Sequence, residues 1–256
     1  MVIQINGLNI DYETQGQGKN LLLLHGWGCT KDIFACITNE LNKRLRITAL
    51  DFPGFGKSDT PPETWGVPEY MELTAKFIRR NGLEGTDILC HSFGGRVAIM
   101  LAAKYPELVG KIIFTGSAGF VKKRTLKYYI RTYRFKLMKK IAKGRGVKKL
   151  LKALGVDVEA RIKNAGSADY RALSGSMKKV FVRVVNLDLR EYLKDIKASS
   201  LLIWGENDTE TPVEFGRLME KNIKDSGLVV LPDAGHYAFL DQYARFMAII
   251  KNFLEV

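Results

Sequence analysis

The stretch DILCHSFGGRVAIMLAAKY, residues 87 to 105, decides the fold. Asp87 to Cys90 reads as a short, nearly continuous apolar strand of the kind buried on both faces. From Gly95 onward, RVAIMLAAKY has the length and composition of a buried helix. Between the two stand His91, Ser92, Phe93 and Gly94, so the strand enters the helix through a sharp turn with a serine at its apex. A turn that pushes a hydroxyl above a sheet needs small residues two positions before and two after the serine. Gly94 meets that need on one side; Cys90 stands on the other, compact but carrying a Cβ. The plainer alternative for Ser92 is a helix cap after an ordinary buried strand.

The same alternation extends in both directions. Val2 to Ile5 and Ile10 to Gln15 read as strands joined across Asn6-Gly7, a pair suited to a tight antiparallel hairpin. Leu21 to Leu24, Ile47 to Leu50, Lys111 to Thr115, Leu201 to Trp204 and Leu228 to Leu231 are further short apolar runs. Helix-length stretches lie between several of them: Ile33 to Leu41, Pro68 to Asn81, Gly95 to Tyr105, Val213 to Lys221 and Ala244 to Leu254. The order predicts an α/β fold with a mostly parallel, twisted eight-stranded sheet flanked by helices. Hydrophobic residues at 46% and charged residues at 26% of the 256 fit a soluble globular chain and argue against disorder.

The exception follows the sixth strand, where some 80 residues pass before the next. Residues 119 to 195 carry 22 Lys or Arg against 6 Asp or Glu, so this one segment holds more than the whole formal excess of +13. Leu126, Ile130, Tyr133, Leu137 and Ile141 recur at helical spacing, with Lys123, Lys127, Arg131 and Arg134 on the neighbouring face. Gly144-Arg145-Gly146 interrupts them, a second short helix is expected through Val147 to Leu154, and a third near Ser176 to Val185. The division predicted is a core of 1–118 and 198–256 and a basic helical insertion of 119–197. Tyr128, Tyr129, Tyr133, Phe135 and Phe181 are available as pocket lining, although a helical stripe of aromatics more often packs inward. The cations read mostly as a solvated face, with enough charge to attract an anionic substrate or an acidic lipid surface.

A serine hydroxyl needs an adjacent base, and the base needs a group that fixes its tautomer. His25, His91 and His236 are the only histidines, and His236 alone lies in a loop between the last strand and the last helix. Glu206-Asn207-Asp208 leaves the strand Leu201 to Gly205 at the edge where ligands gather, making Asp208 the candidate acid with Glu206 and Glu210 as competitors. No carboxylate directly follows Lys111 to Thr115. Negative charge developing on a carbonyl oxygen calls for preorganised N–H donors. The residue after the serine, Phe93, offers one; the strand exit His25-Gly26-Trp27-Gly28 offers Trp27 as the second. The lone Cys29, Cys36 and Cys90 have no metal-ligand spacing, and no metal or organic cofactor is expected.

HGWG at 25 to 28, DFPGFGKSD at 51 to 59, CHSFGG at 90 to 95, LLIWGEND at 201 to 208 and AGHYAFLD at 234 to 241 resemble, in order and over nearly the whole chain, the α/β-hydrolase superfamily. The likeness is greatest to its capped bacterial esterases and meta-cleavage-product hydrolases. It implies catalytic Ser92, His236 and Asp208, a cap where the basic insertion lies, and structural roles for His25, Gly26, Cys90, Gly94, Asp51 and Gly54. Gly54-Phe55-Gly56-Lys57-Ser58 lacks the first glycine of a phosphate-binding loop, since Asp51 stands there. Relatives that form alkyl esters place an aspartate at the turn; Ser92 points to acyl chemistry. The expectation is hydrolysis of an ester or related carbonyl through an acyl-enzyme, with the substrate a small molecule, anionic or an acyl ester. Carbon–carbon hydrolysis, perhydrolysis, a membrane-surface lipase contacting anionic lipid through the cap, and a slow small-molecule receptor on the same fold remain alternatives. No nucleic-acid motif accompanies the basic residues. Met1 to Asn20 shows no basic-then-apolar leader and no run approaches the length of a bilayer span, so a cytoplasmic home is expected.

Overall fold

The computed structural model of the chain describes residues 1–121 and 168–256, together with positions 130, 133, 134, 137 and 138. Expectations for Lys123, Leu126, Lys127, Tyr128, Tyr129, Arg131, Phe135, Ile141 and the stretch 144–155 lie outside the described residues.

One eight-stranded sheet runs β1-β2-β4-β3-β5-β6-β7-β8. β1 (Val2–Ile5) and β2 (Leu8–Gln15) form the hairpin, and Asn6 and Gly7 supply the two positive φ angles, 52° and 81°, that such a turn demands. β2 pairs antiparallel with β4 (Leu45–Leu50). From there β3 (Lys19–Leu24), β5 (Thr86–His91), β6 (Val109–Thr115), β7 (Ser200–Gly205) and β8 (Ser226–Leu231) are joined by parallel pairing. Every parallel strand therefore ends on one edge, and the loops leaving it are neighbours.

Strand alternation sorts the apolar residues into two cores. Leu22, Leu24, Ile88, Cys90, Ile112, Phe114, Leu202 and Trp204 face α2 (Val67–Arg80), α3 (Phe93–Lys104) and α6 (Val213–Asn222). Leu21, Leu23, Leu89, Ile113, Leu201 and Ile203 face α1 (Ala35–Leu41) and the C-terminal α8 (Tyr243–Leu254). Both faces are dry, which is why these strands read as continuous apolar runs rather than alternating ones. Two short helices, α4 (Ala168–Ala172) and α5 (Met177–Asn186), precede β7, and α7 (Ala238–Asp241) precedes α8.

The connection between β6 and β7 returns to the core through α5. Met177, Val180 and Val184 join the first core, and Leu189, Leu193 and Ile196 follow. Arg96 of α3, buried, donates to the carbonyl of Leu187 at 2.8 Å and fastens this return. Burial lowers its guanidinium to about 10, with the Asp188 carboxylate partly offsetting. Tyr133 is helical but 70% exposed, where inward packing of the aromatics was the commoner expectation, and Ile130 and Leu137 are exposed beside it. Among the described residues the connection's apolar contact with the core comes from Phe120, α5 and the segment that follows it.

Candidate active site

Backbone proximity builds the site. Ser92 sits at φ 48° and ψ −106°, a sparsely populated conformation costing about 1–3 kcal/mol that the surroundings must impose. They do so through hydrogen bonds. The Ser92 N–H donates to Thr115 O at 3.2 Å, while its carbonyl accepts the N–H groups of Gly95 and Ala118, each at 3.0 Å. A Cβ on Gly94 would overlap the Leu24 carbonyl, and one on Gly95 would overlap the Ser117 hydroxyl, so both glycines answer to close approach. Cys90 fits at the position before the turn: fully buried, its thiol donates to Ile113 O at 3.5 Å, and burial pushes it well above the ordinary thiol value.

Two more loops meet the same way. Gly205, at the end of β7, passes so close to Ala234 and Gly235 that a Cβ would collide with their carbonyls. The Asn207 N–H donates to Ala234 O at 2.8 Å. This contact delivers Asp208 to His236, whose Nδ1–H donates to Asp208 Oδ2 at 2.8 Å. The other oxygen, Oδ1, accepts the backbone N–H groups of Glu210 and Thr211, both at 2.9 Å. The Thr211 hydroxyl lies 2.8 Å from Oδ2 and 2.9 Å from Gly116 O. Burial pushes the Asp208 carboxyl up, but the His236 bond and charge and the Thr211 donors outweigh it and hold it below the ordinary aspartate value. The group is ionised and fixed, as an orienting carboxylate must be.

The His236 ring packs on His91, the residue before Ser92, with centroids 4.7 Å apart. His91 is buried and donates Nδ1–H to Thr115 O at 3.0 Å, leaving Nε2 without a partner. Burial first, then the neighbouring charge of His236, lowers it to about 3. It is a neutral spacer. His236 Nε2, the nitrogen turned from Asp208, lies 3.5 Å from Glu210 Oε2.

His25 and Asp51 shape the opposite rim. His25 donates from Nδ1 to Gly26 O at 2.7 Å and accepts the Phe52 N–H at Nε2, 2.9 Å away. Burial lowers it to about 4. Burial pushes the Asp51 carboxyl up, but the N–H groups of Lys31 and Lys57 and the Lys31 ammonium outweigh it, so the group stays below its ordinary value. A Cβ at Gly26 would stand 3.4 Å from Ser92 Cβ, so the loop bearing Trp27 borders the serine. Trp27 is walled edge-on by Phe55, Phe93 and Phe181 of α5 at centroid distances of 4.9, 5.3 and 5.1 Å. Among the described residues no cluster of three or more His, Cys, Asp or Glu could hold a metal ion.

Sequence reasoning named Asp208 and His236, which the structure brings to 2.8 Å, and Ser92, which it places at the turn after His91, the residue packed against the His236 ring. It passed over Thr211, Gly116 and His91, and read Glu210 only as a competing acid. A threonine three residues after a loop aspartate is the signal of a side-chain-capped turn and would have found Thr211. Nothing local marks Gly116 or the direction of the Glu210 side chain.

The chain belongs to the family described as the alpha/beta hydrolase fold, whose model matches residues 19–243. It is similar to the pimeloyl-[acyl-carrier protein] methyl ester esterase of Neisseria meningitidis, with 27% identity over 248 residues covering 93% of this chain and 94% of the relative. Among solved structures it is similar to an esterase from Exiguobacterium antarcticum, with a TM-score of 0.77, 24% identity, and coverage of 100% and 99%. It is also similar to a meta-cleavage product hydrolase from Pseudomonas fluorescens IP01, with a TM-score of 0.73, 20% identity, and coverage of 100% and 97%. These two likenesses show the fold alone. The protein is a hydrolase of this family.

Proposed function

We propose that the protein is a serine carboxylic-ester hydrolase in which Ser92 is the nucleophile, His236 the base and Asp208 the group that orients it. The observation that carries the reading is the 2.8 Å Asp208–His236 hydrogen bond, with the His236 ring packed against His91, the residue before a serine held at φ 48°. With Nδ1–H committed to Asp208, the neutral imidazole presents a lone pair at Nε2. Ser92 Oγ attacks the ester carbonyl while Nε2 takes its proton. The N–H groups of Trp27 and Phe93 stabilise the oxyanion, and the imidazolium returns its proton to the departing alcohol. Water, deprotonated by the same nitrogen, then attacks the acyl-serine, and the imidazolium returns that proton to Ser92 Oγ as the carboxylic acid leaves. Asp208 stays ionised throughout. Three cysteines that form no disulfide suit a reducing cytoplasm.

Rates on p-nitrophenyl esters of increasing acyl length test the reading. A methyl ester of a carrier-bound acyl chain, the substrate class in the name of the Neisseria relative, belongs in the same series. Ser92→Ala is expected to lower kcat by about 10⁴-fold or more. Full activity in that variant would overturn it.

A second reading has its own observation. Exposed Ile130, Tyr133 and Leu137 lie at helical spacing in a segment rich in Lys and Arg, which favours contact with an anionic membrane surface. Among the described residues no helix is long and apolar enough to cross a membrane. Co-sedimentation with phosphatidylserine vesicles, lost at high salt and absent with neutral vesicles, is the expected result.

A further inference from the structure

The imidazole of His236 lies between two carboxylates of one loop. Asp208 holds Nδ1 at 2.8 Å, and Glu210 places Oε2 3.5 Å from Nε2. The two are built differently. Asp208 is buried and saturated with donors, whereas the Glu210 side chain is 63% exposed. The Glu210 backbone, however, is fixed: its N–H donates to Asp208 Oδ1, so the loop that orients the base also aims the second carboxylate at it. A solvated contact of this kind contributes little to stability.

Its position matters more. Nε2 is the nitrogen that must serve both the serine and the departing alcohol, so a charge beside it stands at the scissile bond. Two unit charges about 6 Å apart, at an effective dielectric constant of about 40, interact by about 1.4 kcal/mol, a tenfold change in rate. The basic segment of 119–195 acts at longer range and with opposite sign, drawing anions toward the molecule.

We propose, on the serine-hydrolase reading above, that Glu210 is a specificity-determining residue that excludes negative charge from the neighbourhood of the scissile bond. The substrates it selects are esters that are neutral or cationic next to the carbonyl, with any anionic group held remote from it. Glu206 provides the internal control: it is an exposed carboxylate of the same loop that accepts the Asp233 N–H at 3.4 Å.

The experiment compares kcat/KM for three p-nitrophenyl esters of similar size: the pentanoate, the hemisuccinate and a trimethylammonio-butyrate. In Glu210→Gln the hemisuccinate-to-pentanoate ratio is expected to rise about tenfold and the cationic-to-neutral ratio to fall. Glu210→Asp, which keeps the charge, is expected to hold both ratios within about twofold of the parent, and Glu206→Gln to leave them unchanged. The proposal is overturned by unchanged ratios in Glu210→Gln, by an equal loss on all three esters, or by the same shift in Glu206→Gln. Hydrolysis that survives Ser92→Ala would instead sink the serine reading, whatever the Glu210 ratios.

Discussion

The loops at the carboxyl edge of the sheet and the connection from β6 to β7 meet opposite physical demands. At the edge, position is set by backbone against backbone. Gly94 touches the Leu24 carbonyl, Gly205 touches Ala234 and Gly235, and buried polar groups such as Asp51 and Asp208 have several partners. In the described part of the connection, Ile130, Tyr133, Leu137 and Val182 face outward, and its ion pair between Lys179 and Glu63 is exposed on both sides. The edge can hold its side chains in one geometry because each residue there answers to several constraints. The connection carries its meaning in charge and apolar surface, which tolerate substitution. Energetic sensitivity should therefore be steep at the edge and shallow at the outward-facing positions of the connection.

The steepest test concerns the acid. On the proposed mechanism Asp208→Asn keeps the shape but removes the charge that steadies the His236 imidazolium, and kcat on a neutral ester is expected to fall by about 10³–10⁴-fold. Glu206→Gln, outside the Asp208–His236 contact, should change the same rate by less than threefold. Equal losses would erase the distinction between the buried and exposed carboxylates.

Acid titration comes next, and it sharpens the contrast because all three histidines lie in edge loops or at a strand end of the core. His25 and His91 are lowered to about 4 and about 3, whereas an unfolded chain protonates both near 6.5. Between those values the unfolded chain binds more protons, so their contribution is complete above about pH 6.5 and shrinks as pH falls toward 4. The slope is about 1.4 kcal/mol per pH unit for each. Asp51 and Asp208 are held below their ordinary values, so their contribution is lost only at lower pH, as it falls below about 4. Urea midpoints measured from pH 7.5 to 4.5 should decline from about 6.5 downward; a flat series would contradict the two neutral histidines.

Gly94→Ala is expected to cost about 3 kcal/mol, read as a fall in the urea midpoint, because the new methyl meets a backbone carbonyl that cannot retreat without opening β3. Lys179→Ala should change stability by no more than about 0.5 kcal/mol, since both partners of its ion pair are wet.

The difference between regions also explains what the sequence disclosed. The strands were legible because burial on both faces writes continuous apolar runs. The turn at Ser92 was legible because its clashes are local and forced Gly94 two residues on. His236 and Asp208 followed from chain order and scarcity. Thr211 was legible but passed over, since its place three residues after Asp208 is a local turn signal; Gly116 and the packing of His91 against His236 were not, because each depends on loops that are distant in sequence and adjacent only across the sheet edge. Glu210 shows the same limit: its type and place were plain, but whether it replaces Asp208 or faces the far side of the imidazole is a matter of side-chain direction.

Reaction with a fluorophosphonate probe, followed by mass spectrometry of the labelled peptide, addresses the activated serine most directly. One adduct per chain is expected, on Ser92, with the rate of labelling cut at least a hundredfold in His236→Ala. An adduct on another residue, or labelling of Ser92 at an undiminished rate without the imidazole, would contradict the proposed mechanism.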